Sequence, residues 1–192
     1  NFMKRSFVFL IVTVIIVLFT GCQMPEKDKK SSKEIASYDY KYKIDVPVDW
    51  EIPKKKGELC EAASIEAFCS SRNASVVVIV EECGDNYIQF DNYCTLAARN
   101  LNSDYYTDIS LDDFKDTEIC GNQAKYVEIK DASSPLGENH VEHAHMWYYL
   151  VNISGYYTQF CAWTPESEAE KNSGEISMII NSFTIFKTKN IK

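Results

Sequence analysis

Hydrophobic and polar residues alternate along the early part of the chain. Between Tyr40 and Val46, aromatic and aliphatic side chains occupy every second position, and lysine or aspartate occupies the positions between them. A period of two places the apolar and polar sets on opposite faces of a β-strand. The segment therefore predicts a half-buried strand, which Pro47 ends.

The same reasoning predicts further strands along the chain. The run from Val76 to Val80 is apolar on both faces and β-branched throughout, which predicts a central strand covered on both sides. Two pairs of strands are joined by the hairpin signals Cys120–Gln123 and Asn152–Gly155. The other predicted strands are Ala62–Cys69, Phe114–Ile119, Ala124–Ile129, Met146–Val151 and Tyr156–Trp163.

Two segments have helical periodicity. The first begins near the capping residue Asp91, and its apolar stripe is Tyr93, Leu96, Ala97 and Leu101. The second begins at Thr164-Pro165, and its stripe is Ile176, Ile179, Ile180 and Phe183. Gly174 lies inside the second helix and costs about 1 kcal/mol relative to alanine, which leaves open a division into two pieces. Together, the elements predict an α+β fold with a mostly antiparallel β-sheet flanked by helices.

An apolar run near the start of the sequence has the layout of a secretory signal. Lys4 and Arg5 precede it, every residue from Phe7 to Phe19 except Thr13 is apolar, and Thr20-Gly21-Cys22 follows. This ending resembles a bacterial lipobox, although Phe19 stands where that pattern prefers leucine. The resemblance implies cleavage before Cys22 and lipid attachment to its thiol; the alternative is a single-pass membrane anchor.

The lipobox resemblance also sets the expected domain organisation and location. Residues 1–21 would be the signal peptide, and residues 22–37 the lipidated cysteine and a polar, flexible tether. Residues 38–187 would form one domain, and 188–192 a tail. The protein is then expected on the extracytoplasmic face of a cell membrane, held by its lipid, in a Gram-positive bacterium.

The net charge limits the classes of molecule that are expected as binding partners. The chain has a formal charge of −8, and without Lys4 and Arg5 it has 18 basic residues against 28 acidic ones. An acidic chain lacks the electrostatic footprint for nucleic acid, and an anionic membrane surface would repel it. Solubility alone also explains such a charge. Apart from the membrane that holds the anchor, a protein partner is therefore expected, and no nucleic acid.

Six cysteines follow Cys22 in the sequence. They are Cys60, Cys69, Cys83, Cys94, Cys120 and Cys161. An even number outside the cell favours disulfides, whereas buried cysteines can also serve as small hydrophobic side chains. Because no CxxC motif occurs, a thioredoxin-like redox site and a paired zinc-knuckle site are both unsupported.

Two short motifs resemble PsbP-like domains. Tyr42–Trp50 reads YKIDVPVDW, similar to the opening strand of those domains, and Ile179–Ile185 reads IINSFTI, similar to their closing helix end. The superfamily includes the extrinsic subunit of photosystem II, a nuclear-import factor that binds the Ran GTPase, and many bacterial lipoproteins. The resemblance covers about residues 38–187. It implies an α/β/α sandwich, a buried Trp50, and a binding rather than a catalytic role.

All three histidines of the chain lie within six residues. His140, His143 and His145 are the candidate metal ligands, and on a strand the last two would share one face. Two imidazoles on one face can hold a transition metal. The alternative is a solvated strand start whose histidines only titrate near neutral pH. Because no fourth ligand is identifiable, the metal site remains the second hypothesis and no cofactor is expected.

No catalytic residue can be assigned from the sequence. It contains no GxSxG, no local cysteine-protease signature, no GxGxxG and no P-loop. The leading hypothesis is therefore a non-enzymatic, membrane-anchored surface lipoprotein that binds or scaffolds an envelope protein. A metal- or small-ligand-binding lipoprotein that uses His140 to His145 is the alternative, and a hydrolase ranks third.

Overall fold

A computed structural model describes residues 32–83, 88–105, 108–132, 143–153 and 155–186. Within these ranges the chain forms nine β-strands and two α-helices. The strands are β1 (Ser32–Ala36), β2 (Tyr42–Pro47), β3 (Ile65–Cys69), β4 (Ala74–Glu82), β5 (Lys115–Ile119), β6 (Asn122–Ala132), β7 (Ala144–Ile153), β8 (Tyr156–Pro165) and β9 (Thr184–Ile185). The helices are α1 (Phe90–Tyr105) and α2 (Ala169–Asn181).

The strands form two sheets, and the large one is antiparallel. Six strands lie in the order β3-β4-β8-β7-β6-β5, and the smaller sheet has the order β1-β2-β9. Neighbouring strands of the large sheet pair antiparallel, as β2 and β9 do in the small one. The predicted α+β class is confirmed, with a second sheet that the hydrophobic pattern does not reveal.

Each face of the six-stranded sheet is covered by a separate core. Alternate residues of β4 divide between the two cores: Val76 and Val78 pack with α2 and the small sheet, and Val77 packs with α1. The aromatic strands β7 and β8 divide in the same way, so that Trp147 and Trp163 belong to different cores. Burial on both faces confirms the prediction of a central strand at Val76 to Val80.

Trp50 lies in the core that contains Val76 and Val78, which we call the first core; the core that contains Val77 is the second core. The Trp50 side chain is 0% exposed, as the PsbP resemblance implies. The indole Nε1 donates a hydrogen bond to Glu175 Oε1 of α2 at 2.8 Å, which satisfies the polar atom of this buried ring. This hydrogen bond links the segment that follows β2 to the last helix.

The helix predictions require three corrections. Leu96 is 48% exposed, whereas Cys94 and Ala98 are buried on α1, so the buried stripe is rotated from the predicted one. Strand β8 continues through Pro165, and α2 begins only at Ala169 after a 3-10 turn, Glu166–Glu168. The helix then passes through Gly174 without a break, because tertiary packing of its apolar face outweighs the cost of one glycine.

The predicted tether is wrong for its last residues. Ser32–Ala36 forms β1, an edge strand beside β2. Its single large apolar residue, Ile35, is buried in the first core, and Ser37 is buried just beyond the strand. Pairing with β2 satisfies the backbone of a segment whose composition alone does not predict a strand. The signal segment and Cys22 lie outside the described residues, so cleavage and lipid attachment remain predictions.

Candidate functional site

His145 is the buried member of the histidine cluster. It lies on β7 and is 4% exposed. Its Nε2 is 2.8 Å from Glu128 Oε1, and its Nδ1 is 3.0 Å and 3.2 Å from the two carboxylate oxygens of Glu166. An ionised carboxylate only accepts hydrogen bonds, so both ring nitrogens donate when the imidazole is protonated. The arrangement is an imidazole ring held between two carboxylates.

Neighbouring elements bring these three side chains together. Glu128 lies on β6, which pairs with β7, and Glu166 begins the turn between β8 and α2. The backbone N–H of Glu166 donates to the carbonyl oxygen of His143 at 2.9 Å, which holds the turn against the start of β7. The ring of Trp147 lies 4.5 Å from the His145 ring. We refer to Glu128, His145 and Glu166 as the histidine tie.

The tie changes the electrostatics of both carboxylates. The hydrogen bond from His145 lowers the pKa of Glu166, against a smaller opposing effect of burial. Burial raises the pKa of Glu128, but hydrogen bonds from His145 and Tyr126 outweigh it, and the net pKa is also lowered. The lowered pKa values favour the ionised form of both carboxylates, in which they accept hydrogen bonds from the His145 ring.

His143 does not join the tie. The residue has a positive φ of 56°, directly before β7, so the strand alternation that would place it beside His145 does not reach it. Its side chain is 77% exposed, and Nδ1 lies 3.4 Å from Asp131 Oδ1. The prediction that His143 and His145 share one face is wrong. His140 lies outside the described residues.

The described residues therefore give the metal hypothesis little support. Within them, no group of three or more His, Cys, Asp or Glu side chains could hold a metal ion. Both nitrogens of His145 already face carboxylates, and His143 faces solvent.

A cavity of about 300 Å³ lies beside the histidine tie. Its lining also includes Lys130, Glu170 and Ser173. The three side chains of the histidine tie link β6, β7 and the turn before α2.

The cysteines do not form the framework that their even number favours. Cys69, Cys83, Cys94 and Cys120 are free thiols, so the structure does not pair all six. Cys94 lies fully buried in the second core, where it serves as the small hydrophobic side chain of the alternative interpretation.

Sequence reasoning missed both carboxylates of the tie. Glu166 is visible only as an acidic residue near a helix start, and Glu128 as one polar position within a strand. The contact of Glu128 with His145 depends on the register of β6 against β7, which shifts between Ile129 and Ala132. Asp131, with a positive φ of 53°, lies in this irregularity. No local sequence pattern predicts such a shift in strand register.

Comparison with known proteins defines the fold. The sequence matches no protein-family model and no curated protein. The structure is similar to the solution structure of cyanobacterial PsbP (CyanoP) from Synechocystis sp. PCC 6803, with a TM-score of 0.53 and 11% identity over 87% of this chain and 99% of that one. The described part of the chain thus has a PsbP-like fold, and the fold implied by the resemblance of YKIDVPVDW and IINSFTI is confirmed.

Two bacterial structures share this fold. LpqN of Mycobacterium tuberculosis, which is involved in cell envelope biogenesis, gives a TM-score of 0.51 and 15% identity over 80% of this chain and 90% of that one. A crystal structure from Bacteroides thetaiotaomicron VPI-5482 gives a TM-score of 0.54 and 11% identity over 82% of this chain and 49% of that one. Neither helix of the described residues is long and apolar enough to cross a membrane.

Proposed function

We propose that this protein is a membrane-anchored surface lipoprotein that catalyses no reaction and binds or scaffolds another protein of the cell envelope. The proposal rests on the lipobox-like Thr20-Gly21-Cys22, on the PsbP-like fold, and on an exposed, rigid turn between β1 and β2. The similarity to LpqN, a protein of cell envelope biogenesis, supports the envelope as the place of action.

The start of β1 limits how far the domain can extend from the bilayer. If the lipid is attached to Cys22, only nine residues, 23–31, separate it from Ser32. The Cα atoms of Cys22 and Ser32 are ten steps apart along the chain, and a fully extended chain spans at most about 3.5 Å per step, so they lie at most about 35 Å apart. We therefore expect the partner to be an envelope protein within reach of a domain held by so short a segment.

The histidine tie supports a role without catalysis. A general acid or base must reach the proton that it transfers, whereas His145 is buried and both of its nitrogens already contact carboxylates of the same chain. Its contacts link β6, β7 and the turn before α2. We therefore assign His145 to the fold and not to a reaction.

The observation that carries partner binding is the exposure of Tyr40. Its side chain is 78% exposed, in the turn between β1 and β2. Tyr38, in the same turn, is partly exposed. Tyrosine is enriched at protein interfaces because its ring buries a large area with few rotatable bonds.

Hydrogen bonds hold this turn in one conformation. The Ser37 Oγ accepts the backbone N–H groups of Lys41 and Tyr42, each at 3.0 Å, and donates to Asp39 at 2.7 Å. The backbone N–H of Tyr40 donates to the Ser37 carbonyl at 2.9 Å. Since these hydrogen bonds restrain the backbone of the turn, binding through Tyr40 should lose less backbone conformational entropy.

Site-specific photo-crosslinking tests this proposal. A benzophenone amino acid is placed at Tyr40 of the full-length protein in the cells that produce it, and a matched control carries it at Leu96, an exposed apolar position on α1. We expect one discrete protein adduct from position 40 and none of that mass from position 96. An absence of adduct at position 40, or the same adducts from both positions, would contradict the proposal.

A further inference from the structure

A cavity of about 560 Å³ lies between α1 and the six-stranded sheet. Its apolar lining comes from β4, β7, β8 and α1, namely Val77, Ile79, Tyr148, Trp163 and Leu101. The loop before β3 contributes Cys60, Glu61 and Ala62. Sites for small molecules typically have 300–1,000 Å³ and a mainly apolar lining with a few polar groups. The cavity has the size and the lining of such a site, and it is separate from the histidine tie.

The charge of the lining has one sign only. Glu61 and Glu81 both contribute to it, and no lysine, arginine or histidine among the described residues does. Two carboxylates without a basic neighbour favour a positively charged occupant.

Glu81 is held in place by its neighbours. Tyr93 and Gln159 Nε2 both donate to Glu81 Oε2, the latter at 3.1 Å. Gln159 Nε2 also donates to the Tyr93 hydroxyl at 2.8 Å, and Tyr148 donates to Gln159 Oε1. Both contacts of the carboxylate use Oε2, so Oε1 has no hydrogen-bond partner among the described residues and is available to a donor from a ligand.

We infer that this cavity binds a small organic cation, an ammonium group on an apolar body, with the ammonium at Glu81 and the body against Ile79 and Ala62, the more exposed apolar residues of the lining. The carboxylate supplies a charge-assisted hydrogen bond, and the apolar lining supplies burial. An anionic ligand with the same body would bring its charge against two carboxylates. The cavity therefore selects by charge as well as by shape.

Three probes with one apolar body test the charge preference. They are para-tert-butylbenzylamine, which is a cation at neutral pH, the corresponding neutral alcohol, and para-tert-butylbenzoate. Binding is measured by titration calorimetry with the full-length protein in lipid nanodiscs, and empty nanodiscs give the blank. We expect the amine to bind about two- to fivefold more tightly than the alcohol, the effect of an ion pair at an exposed carboxylate, and the benzoate to bind most weakly.

Variants locate the binding in the cavity. Glu81→Gln keeps the size of the side chain and should remove most of the advantage of the amine over the alcohol. Glu118→Gln, on β5 and outside the cavity, removes the same charge and should leave that advantage intact. Ala62→Trp places a large ring at an exposed position of the lining and should weaken all three probes. A thermal melt of each variant establishes that it is folded.

Several results would overturn the inference. Equal affinities for the amine and the benzoate would contradict the charge preference, and no heat with any probe would exclude the cavity as a site of this kind. Unchanged binding to Ala62→Trp would place the probes elsewhere. If both Glu81→Gln and Glu118→Gln lost the preference for the amine, the preference would come from the net charge of the protein and not from the cavity.

Discussion

The indole nitrogen of Trp50 lies 2.8 Å from Glu175 Oε1, although 125 positions separate the two residues. The same oxygen lies 3.0 Å from the Arg72 guanidinium, which also contacts Asp49 at 2.8 Å. Trp50 follows the second strand, and Glu175 lies on the last helix. One carboxylate therefore connects the beginning and the end of the domain with the β3–β4 turn, beside a fully buried ring.

Replacing Trp50 tests how much this connection stabilises the domain. Trp50→Ala removes a fully buried ring and leaves a cavity, so we expect a loss of about 3–5 kcal/mol in the free energy of unfolding. Chemical denaturation measures it. The matched control is Val48→Ala, an exposed position in the adjacent turn, which should stay within about 0.5 kcal/mol of wild type. A Trp50→Ala protein that unfolds like wild type would show that the ring is not part of the core.

Glu66 organises a second part of the fold. The residue is buried on β3, and its carboxylate accepts hydrogen bonds from the backbone N–H groups of Gly57, Leu59 and Cys60 at 2.7, 2.6 and 3.0 Å. The Tyr38 hydroxyl donates to it at 2.8 Å. Burial and this hydrogen bond to Glu66 raise the pKa of Tyr38 to about 12. The loop before β3 is therefore fastened by one buried carboxylate.

Glu66→Ala should release this loop. It leaves three backbone donors without their acceptor, and each unsatisfied buried group costs about 1–3 kcal/mol. We expect a loss of at least about 3 kcal/mol and faster tryptic cleavage after Lys54, Lys55 or Lys56. Digestion followed by mass spectrometry reads out the cleavage sites. Glu58→Ala, an exposed position in the same loop, is the control; equal cleavage in both variants would contradict the assigned role of Glu66.

The histidine tie predicts a dependence of stability on acid. The pKa values of Glu128 and Glu166 are lowered in the folded protein. A carboxyl group with a lowered folded pKa contributes stability above its unfolded pKa and loses it as the pH falls through the folded value. The free energy of unfolding should therefore fall between about pH 5 and pH 3.

Glu166→Gln should be less stable than wild type at neutral pH and should lose less stability over that acid range. The control is Glu168→Gln, which alters a carboxylate that pairs on the surface with Lys171 at 3.0 Å. Denaturation curves at several pH values measure the slope. An acid-induced loss equal in wild type and Glu166→Gln would show that the tie does not set this dependence.

Zinc provides a separate test of the histidines. Metal bound by the folded state alone raises its stability, by about 2.7 kcal/mol at a hundredfold excess over Kd. We expect no zinc-dependent shift in the thermal melt of the full-length protein, because His145 faces two carboxylates and His143 does not share its face. A rise in Tm at neutral pH that is lost in acid and in the His143→Ala, His145→Ala variant would restore the metal hypothesis.

The strands and the PsbP-like fold could be predicted because their signals are local. Alternation along β2, the apolar run in β4 and the hairpin signal at Cys120-Gly121 each depend on neighbouring residues. Both turn residues there have positive φ, as a tight hairpin turn requires. β1 could not be predicted in this way, since Ser32–Ala36 becomes a strand only by pairing with β2.

The candidate sites depended on contacts between distant segments. His145 was visible in the sequence, but its partners Glu128 and Glu166 lie 17 and 21 positions away. The cavity under α1 takes its lining from five separate segments, and no one of them carries a motif. Even the stripe on α1 was misplaced at Leu96, because helical spacing does not say which of two adjacent faces the sheet covers.

Lipid attachment at Cys22 is the central claim, since the location and the reach of the domain depend on it. Cells are fed a clickable palmitate analogue, and the labelled protein is detected after gel separation. We expect that wild type and Cys120→Ala, which removes an exposed free thiol, are labelled and cleaved, whereas Cys22→Ala is unlabelled and keeps its signal segment. Equal labelling of Cys22→Ala and wild type would show that Cys22 is not the site of lipid attachment.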